Sequence, residues 1–582
     1  MKPIYIALAC MCGSVTTATA QGQLSKEITI DREIVPEVRA ASRLNIYPRT
    51  LSFERQTKSL NFNNYTELTN IPKYITTLEP ANTEDAATAT PYRGYVDGGY
   101  FPAANAALSA GYSIVSKEST LLNVWTQLNN RAYKARPHEE LGKVDFKDFT
   151  GRLGVDFSHR FGESGSLGIS TDVALASFNQ LWSLFEKSSD ETKPTEGQSF
   201  IDWKLSAMWH GNASSHLKYN IGLGFNVFNF SKELPAENFN ELHAISAGKP
   251  LHQTGFSFRL GIQERVGERA AVGVDWNGDF IRFNYFMNGN DWTYSHSDNP
   301  ISAENVKAKT MGVVSLKPYY RFGSKVVTLK LGARVDYTIN SGKKLHIAPD
   351  AMFAVNPAAG FGLWLGVGGG EHLNTLQSLA AYSHYISQSF AYKVSHMPIK
   401  GEFGLRFGPF KGASLTVDVA YASANNWLMP MLAENQLIFR GQDLRSWKVG
   451  AQVNWAFRKW FTFEAGFETL LGSKDKNRWF EWRDRARHVA SAAVSVKPLD
   501  ALTVNLSYEM RMKRSMLTTS LEQGIMFDLD DVNNVGIGAS YRITNAFTVF
   551  GKVNNLLGQK YDLITYVPTQ GVTGLVGVGF KF

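Results

Sequence analysis

From about residue 92 to the last residue the chain repeats one pattern: roughly ten residues of alternating apolar and polar positions, a turn, and another alternating run. In "VVTLKLGARVDY" one face carries Val327, Leu329, Leu331, Ala333, Val335 and Tyr337, and the other Thr328, Lys330, Gly332, Arg334 and Asp336. A period of two predicts a β-strand, and one face of this strand is wholly apolar. "LTVNLSYEMRM" splits the same way, with Leu502, Val504, Leu506, Tyr508 and Met510 against Thr503, Asn505, Ser507, Glu509 and Arg511. Runs beginning at Leu217, Ser414 and Trp447 repeat it.

Alternation of this kind also builds soluble sandwiches, so run length and connections decide. Sandwich strands average about five or six residues, whereas about ten are needed to cross a bilayer at a tilt. The connections alternate in size. Short turns such as "GESGS", "GER", "GPFKG", "RKW" and "PLD" lie between long segments at roughly 131–146, 180–196, 232–251, 288–304, 374–392, 424–442, 473–482, 514–530 and 556–570. Short turns on one rim and long loops on the other predict an all-β fold: a transmembrane antiparallel β-barrel with short periplasmic turns and long extracellular loops. Counting runs gives about 22 strands, within a range of about 20 to 24, and the weakest boundaries are near Phe101 and at 339–343. Trp447, Trp455, Phe457, Trp460, Phe461 and Phe463 cluster at run ends, where interfacial girdles sit.

The N-terminus fits export. "MKPIYIALACMCGSVTTATA" has a basic start at Lys2, a short apolar core and an Ala-Thr-Ala ending, which predicts a cleaved signal peptide over 1–20. Both cysteines of the chain, Cys10 and Cys12, fall inside it, so the mature protein carries no disulfide or thiol chemistry. Cleavage removes one Lys and no acid, taking the net charge from +8 to +7. With no basic run, that balance predicts a solvated surface or attraction to anionic headgroups and solutes, and no nucleic-acid partner.

The final residues, "GLVGVGFKF", continue the alternation: Val576, Val578, Phe580 and Phe582 face one way, Leu575, Gly577, Gly579 and Lys581 the other. The segment 552–582 resembles the C-terminal hairpin of TonB-dependent receptors through Asn555, Leu556, Tyr561, Gly571 and Phe582, although Val572 stands where that family commonly has Arg. The resemblance implies an outer-membrane barrel embedded in lipid, with Phe580 and Phe582 read by the barrel-assembly machinery. It covers 92–582 only. The usual plug is absent or much reduced, because 21–91 holds none of its Gly-rich motifs and reads as an extended periplasmic or luminal segment. Within it Glu27, Ile28, Thr29 and Ile30 are similar to a TonB box, an extended peptide that a partner takes up by strand addition; incidental alternation near a mature N-terminus has the same look.

A barrel of this size encloses a wide lumen, so the segment 21–91, inward-folded loops or a partner must fill it. Lys330, Arg334, Asp336, Glu509, Arg511 and Lys581 are expected to face that lumen, mixed in sign as in a salt-bridged wall. No hydrolase, zinc-protease or nucleotide-loop motif occurs, so neither an enzyme nor a cofactor is expected. "GVGGGEH" reads as a close-packed strand, and His372 with Glu371, or His243 with His252, as solvated loop positions ahead of metal ligands. Trp292, Tyr294 and His296 make the 287–300 loop a candidate ligand-binding loop, and "NNWLMPMLAENQLIF" (425–439) is apolar enough to fold inward or meet a partner. Two functions follow. One is uptake of a solute across the outer membrane, driven through TonB if 21–91 engages it. The other is a non-transporting barrel that anchors an envelope complex through a periplasmic or surface partner.

Overall fold

The computed structural model describes residues 92–101, 105–136, 142–190, 195–232, 250–284, 309–340, 343–386, 394–433, 436–472, 486–519, 524–563 and 567–582. The segment 21–91 with Glu27, Ile28, Thr29 and Ile30, the loop bearing Trp292, Tyr294 and His296, residue His243 and the loop 473–482 lie outside them. Each run of alternation is a strand paired antiparallel to its chain neighbour, and the strand Gly94–Phe101 pairs with Thr573–Lys581, Tyr95 opposite Lys581, to close the sheet on itself. Leu502–Met512 pairs directly with Val532–Arg542, which leaves the hairpin Arg514–Thr519 and Gly524–Leu529 outside the wall. Of the 24 strands among the described residues, 22 form a closed barrel. No helix among the described residues is long and apolar enough to cross a membrane; the crossing is made by strands.

The two faces separate as the alternation predicts. In Val327–Ile339, Leu331 and Tyr337 are 51% and 47% exposed on the outer face, while Asp336 and Thr338 point inward and are 1% and 2% exposed. Leu153, Leu175, Ile201, Leu223, Ile347, Leu365 and Leu506 continue the outer apolar surface around the ring. So much contiguous apolar surface is not stable in water, but it matches hydrocarbon. The short turns rely on left-handed backbone: Gly412 has φ 82°, and a Cβ there would stand 2.1 Å from the Ala456 carbonyl oxygen.

The long-loop rim differs from expectation in four places. The supposed loop 424–442 is mostly strand: Ala413–Ala433 and Gln436–Phe457 run 21 and 22 residues and pair out to Ala433 opposite Gln436, beyond an irregularity between Ala424 and Trp427. The segment 514–530 is largely the extra hairpin, whose first strand pairs in parallel with Met431–Ala433. The loops 180–196 and 374–392 hold the short helices Leu181–Ser189 and Leu376–Tyr382. Strands such as Val144–Arg160, at 17 residues, outrun the ten or so needed for hydrocarbon. They therefore form a collar on the long-loop side, and inside that collar lies the main core of the molecule.

Candidate functional site

The described apolar core does not line the barrel wall. It fills the mouth at the long-loop rim. Inward side chains from the collar, including Phe146, Phe178, Phe200, Phe228 and Phe283, meet Leu184 of the first helix, Leu376, Leu379 and Tyr382 of the second, Leu432, Leu437 and Phe439 of the long hairpin, Met516 of the extra hairpin, and Val567. Ring centroids stand 4.7 Å apart for Phe200 and Phe228, 5.6 Å for Phe178 and Tyr385, and 5.6 Å for Tyr382 and Phe439. The apolar stretch 425–439 folds inward, one of its two expected fates, because Trp427, Leu428, Met429, Leu432, Leu437 and Phe439 are all buried.

The helix Leu376–Tyr382 is held by polar contacts as well. Thr375 and Ser378 form a reciprocal cap. The Gln377 amide donates to Asp202 and Asn226, each at 3.2 Å, and accepts from Gln253 at 2.7 Å, while Gln253 also accepts from the Leu376 N–H at 2.7 Å. These partners belong to three neighbouring strands, Gly197–Asn212, Leu217–Phe230 and His252–Arg265. The loop thus leaves the wall after His372 and docks on a distant part of the ring. Beyond the helix, the His384 Nε2 lies 3.7 Å from Asp148, which is itself ion-paired with Arg131. Burial between Phe178 and Tyr385 pushes His384 below the ordinary imidazole value; Asp148 pulls it upward and Arg131 downward. Two further ties close the mouth: the Tyr133 hydroxyl donates to the Pro568 carbonyl at 2.9 Å, and Arg514 donates to the carbonyls of Asp562 and Leu563 at 2.8 Å each.

Below the cap the lumen is polar and many of its charges are paired. Lys330 meets Asp350 at 3.0 Å, Arg334 meets Asp336 at 2.8 Å, Arg511 meets Glu509 at 2.6 Å, and Lys448 stands 3.5 Å from both Asp418 and Glu468. A cavity of about 880 Å³ opens at the short-turn end, lined by Arg160, His210, Lys218, Tyr219, Arg321 and Lys330 among others. Phe580 and Phe582 sit half-exposed on the outer face at that rim, the Phe582 carbonyl oxygen accepting from the N–H groups of Arg93 and Gly94 and its ring stacking on Tyr112 at 6.0 Å. Trp455, Phe457 and Trp460 border the same rim.

One constellation departs from the reading of Glu371 and His372 as solvated loop positions. Both end the strand Phe361–His372, and His372 stacks on Trp427 at 5.7 Å. Glu371 instead meets His346 and His396, from the two adjacent strands. Alternation along Phe361, Leu363, Leu365 and Val367 places 371 on the lipid side. A register shift between Gly368 and Gly370 turns it inward, and the triple glycine was the one available signal.

No family model and no curated protein matches the chain. Solved structures do. A mutant of the ferric enterobactin receptor PfeA from Pseudomonas aeruginosa aligns at TM-score 0.63 and 11% identity, covering 84% of this chain and 80% of that one. The FrpB iron transporter from Neisseria meningitidis gives 0.62 at 11% identity over 84% and 81%, and the siderophore receptor PirA from Acinetobacter baumannii 0.60 at 11% over 84% and 80%. The barrel has the fold of TonB-dependent siderophore receptors. At this identity the likeness is one of architecture, and the substrates of those receptors remain statements about them.

Proposed function

We propose that the protein is an outer-membrane uptake barrel that admits a solute too large for general porins through a mouth normally sealed by its own loops. The apolar core packed in the mouth above a polar lumen carries this reading: a receptor-type barrel needs a barrier that ligand binding can displace, and here a docked helix and hairpin supply one. Outer-membrane lipid surrounds the wall, the barrel-assembly machinery inserts it, and TonB or another periplasmic or surface partner engages residues 27–30. Because the structural neighbours are iron and siderophore receptors, a ferric chelate is the first substrate class to try. The test is uptake of radiolabelled ferric chelates by cells with and without the gene, beside single-channel conductance of the mature chain and of a form lacking 21–91. Gene-dependent uptake supports the proposal. A barrel that moves no chelate and stays silent in both forms refutes it.

A second reading draws on the same core. Solute passage has to disrupt one continuous apolar cluster that spans much of the ring. A barrel that never opens would serve as an anchor for an envelope complex, and capture of a periplasmic partner by 21–91 together with silence in conductance favours that outcome.

A further inference from the structure

Three strands side by side in the wall, Leu345–Ala358, Phe361–His372 and Ser395–Phe410, each bring one metal-ligating side chain to the same place just below the cap. One atom from each of His346, Glu371 and His396 lies within 4.8 Å of the other two. The Nδ1 atoms of His346 and His396 stand 3.3 Å and 2.5 Å from Glu371 Oε1, and the Glu371 side chain is only 2% exposed. Although Glu371 Oε1 and His396 Nδ1 are buried and face each other at 2.5 Å, neither makes a hydrogen bond of acceptable geometry. Buried polar atoms left in this way are costly and call for a missing partner.

The far side of His346 indicates what that partner is. Its Nε2 lies 2.9 Å from the Lys343 carbonyl oxygen, which can only accept, so the ring proton belongs on Nε2 and Nδ1 turns a lone pair toward the carboxylate. A lone pair and a carboxylate oxygen repel unless a proton or a metal cation stands between them, and a single proton can serve only one of the two imidazoles that face Glu371. A carbonyl on the far ring nitrogen is also the arrangement that orients a histidine for metal binding. Two imidazoles and one carboxylate are the donor set of a zinc-type site with one position open, where ligand atoms stand about 3.3 Å apart around a tetrahedral ion. The His346 separation of 3.3 Å already matches, and that of His396, at 2.5 Å, has to widen by about 0.8 Å to admit the ion. The Glu371 backbone is fixed by its N–H to Asp336 at 2.6 Å and its carbonyl to Arg334 at 2.9 Å, beside Gly370 at φ 127°.

We propose that His346, Glu371 and His396 bind one divalent transition-metal cation of the zinc class, pinning three neighbouring strands beneath the mouth and leaving a fourth position for water. This does not rest on the uptake reading. The test uses the full chain, folded in detergent, stripped with chelator and titrated with Co2+, with the visible absorption of the ion as readout and heat-modifiable gel mobility as the folding check. One equivalent with the strong bands of a tetrahedral ion, displaced by Zn2+, is expected, and Glu371→Gln and His396→Ala should each weaken binding about 100-fold or more. His210→Ala, at the opposite end of the lumen, should leave it unchanged. No saturable uptake by the folded protein, or uptake indifferent to the first two substitutions, overturns the site and leaves a protonated His–Glu pair in its place. If a substituted chain fails to assemble, pulsed electron resonance of Cu2+ on the unaltered protein counts the bound imidazoles: two sustain the proposal, and any other number overturns it.

Discussion

Shortening one side chain of the cap should convert a silent barrel into one that flickers open. A seven-residue helix has no stability of its own in water, so Leu376–Tyr382 stays in the mouth only through what it docks against. Leu379 is 1% exposed at the centre of that contact. Truncating a buried leucine costs about 3 kcal/mol, the transfer term plus the cavity left behind. If the docked and released loop are in equilibrium while the wall stays intact, that cost falls wholly on docking, and Leu379→Ala raises the open population about 100-fold. Leu379→Met, which conserves volume, should cost under about 1.5 kcal/mol and change opening little. The assay is the open fraction of single channels in planar bilayers, measured in a chain lacking residues 21–91 so that only the loops can seal, with heat-modifiable mobility confirming the barrel. Equal open fractions for Leu379→Ala and its parent, both folded, would show that the apolar cluster does not control the pore.

Three further outcomes follow. Arg131→Met leaves the Asp148 carboxylate buried and unpaired apart from His384, so thermal unfolding of the mouth should come earlier by an amount equivalent to about 3–5 kcal/mol, read by near-ultraviolet circular dichroism; the double substitution Arg131→Met/Asp148→Leu should recover most of it. His384 is held neutral by burial, so the released loop takes up the proton more readily than the docked one. Its contribution to closure is therefore complete above the unfolded imidazole value near pH 6.5 and is lost progressively below it; open fraction should climb as pH falls through that range, and His384→Phe should flatten the profile. Gly370→Ala places a Cβ 2.4 Å from the Arg334 guanidinium carbon at φ 127°, which should cost at least about 1 kcal/mol, and a melting temperature equal to that of the parent would show that the glycine is dispensable.

The wall was readable because each of its strands meets two different solvents, and a two-solvent strand writes its geometry into alternation. Leu331 and Asp336 are found where that rule puts them. The mouth was not readable, because above the hydrocarbon both environments are protein or water and the rule lapses. Leu428, Leu432, Leu437 and Phe439 break the alternation since they pack against the helices and the collar, so a strand extension looks like an apolar loop. Glu371 departs from a solvated loop position for a related reason: the pairing is irregular at the glycines, where Gly370 at φ 127° faces a partner strand with one extra residue between Met397 and Lys400, and the side chain turns inward. The His346–Glu371–His396 group joins residues scattered along the sequence, and only the pairing register brings them together.

The cap also sets an order of events. Its members run from Val144 to Val567, and Tyr133 is tied to Pro568, so almost the whole chain must be in place before the mouth can pack. The seam is later still, since Tyr95 must wait for Lys581, and contacts so distant along the chain are the slowest to form. A barrel caught before closure would present its aromatic collar unpaired and open to proteases and chaperones. A packed mouth is therefore a certificate of completion, legible from outside the cell, that the last strand has found the first.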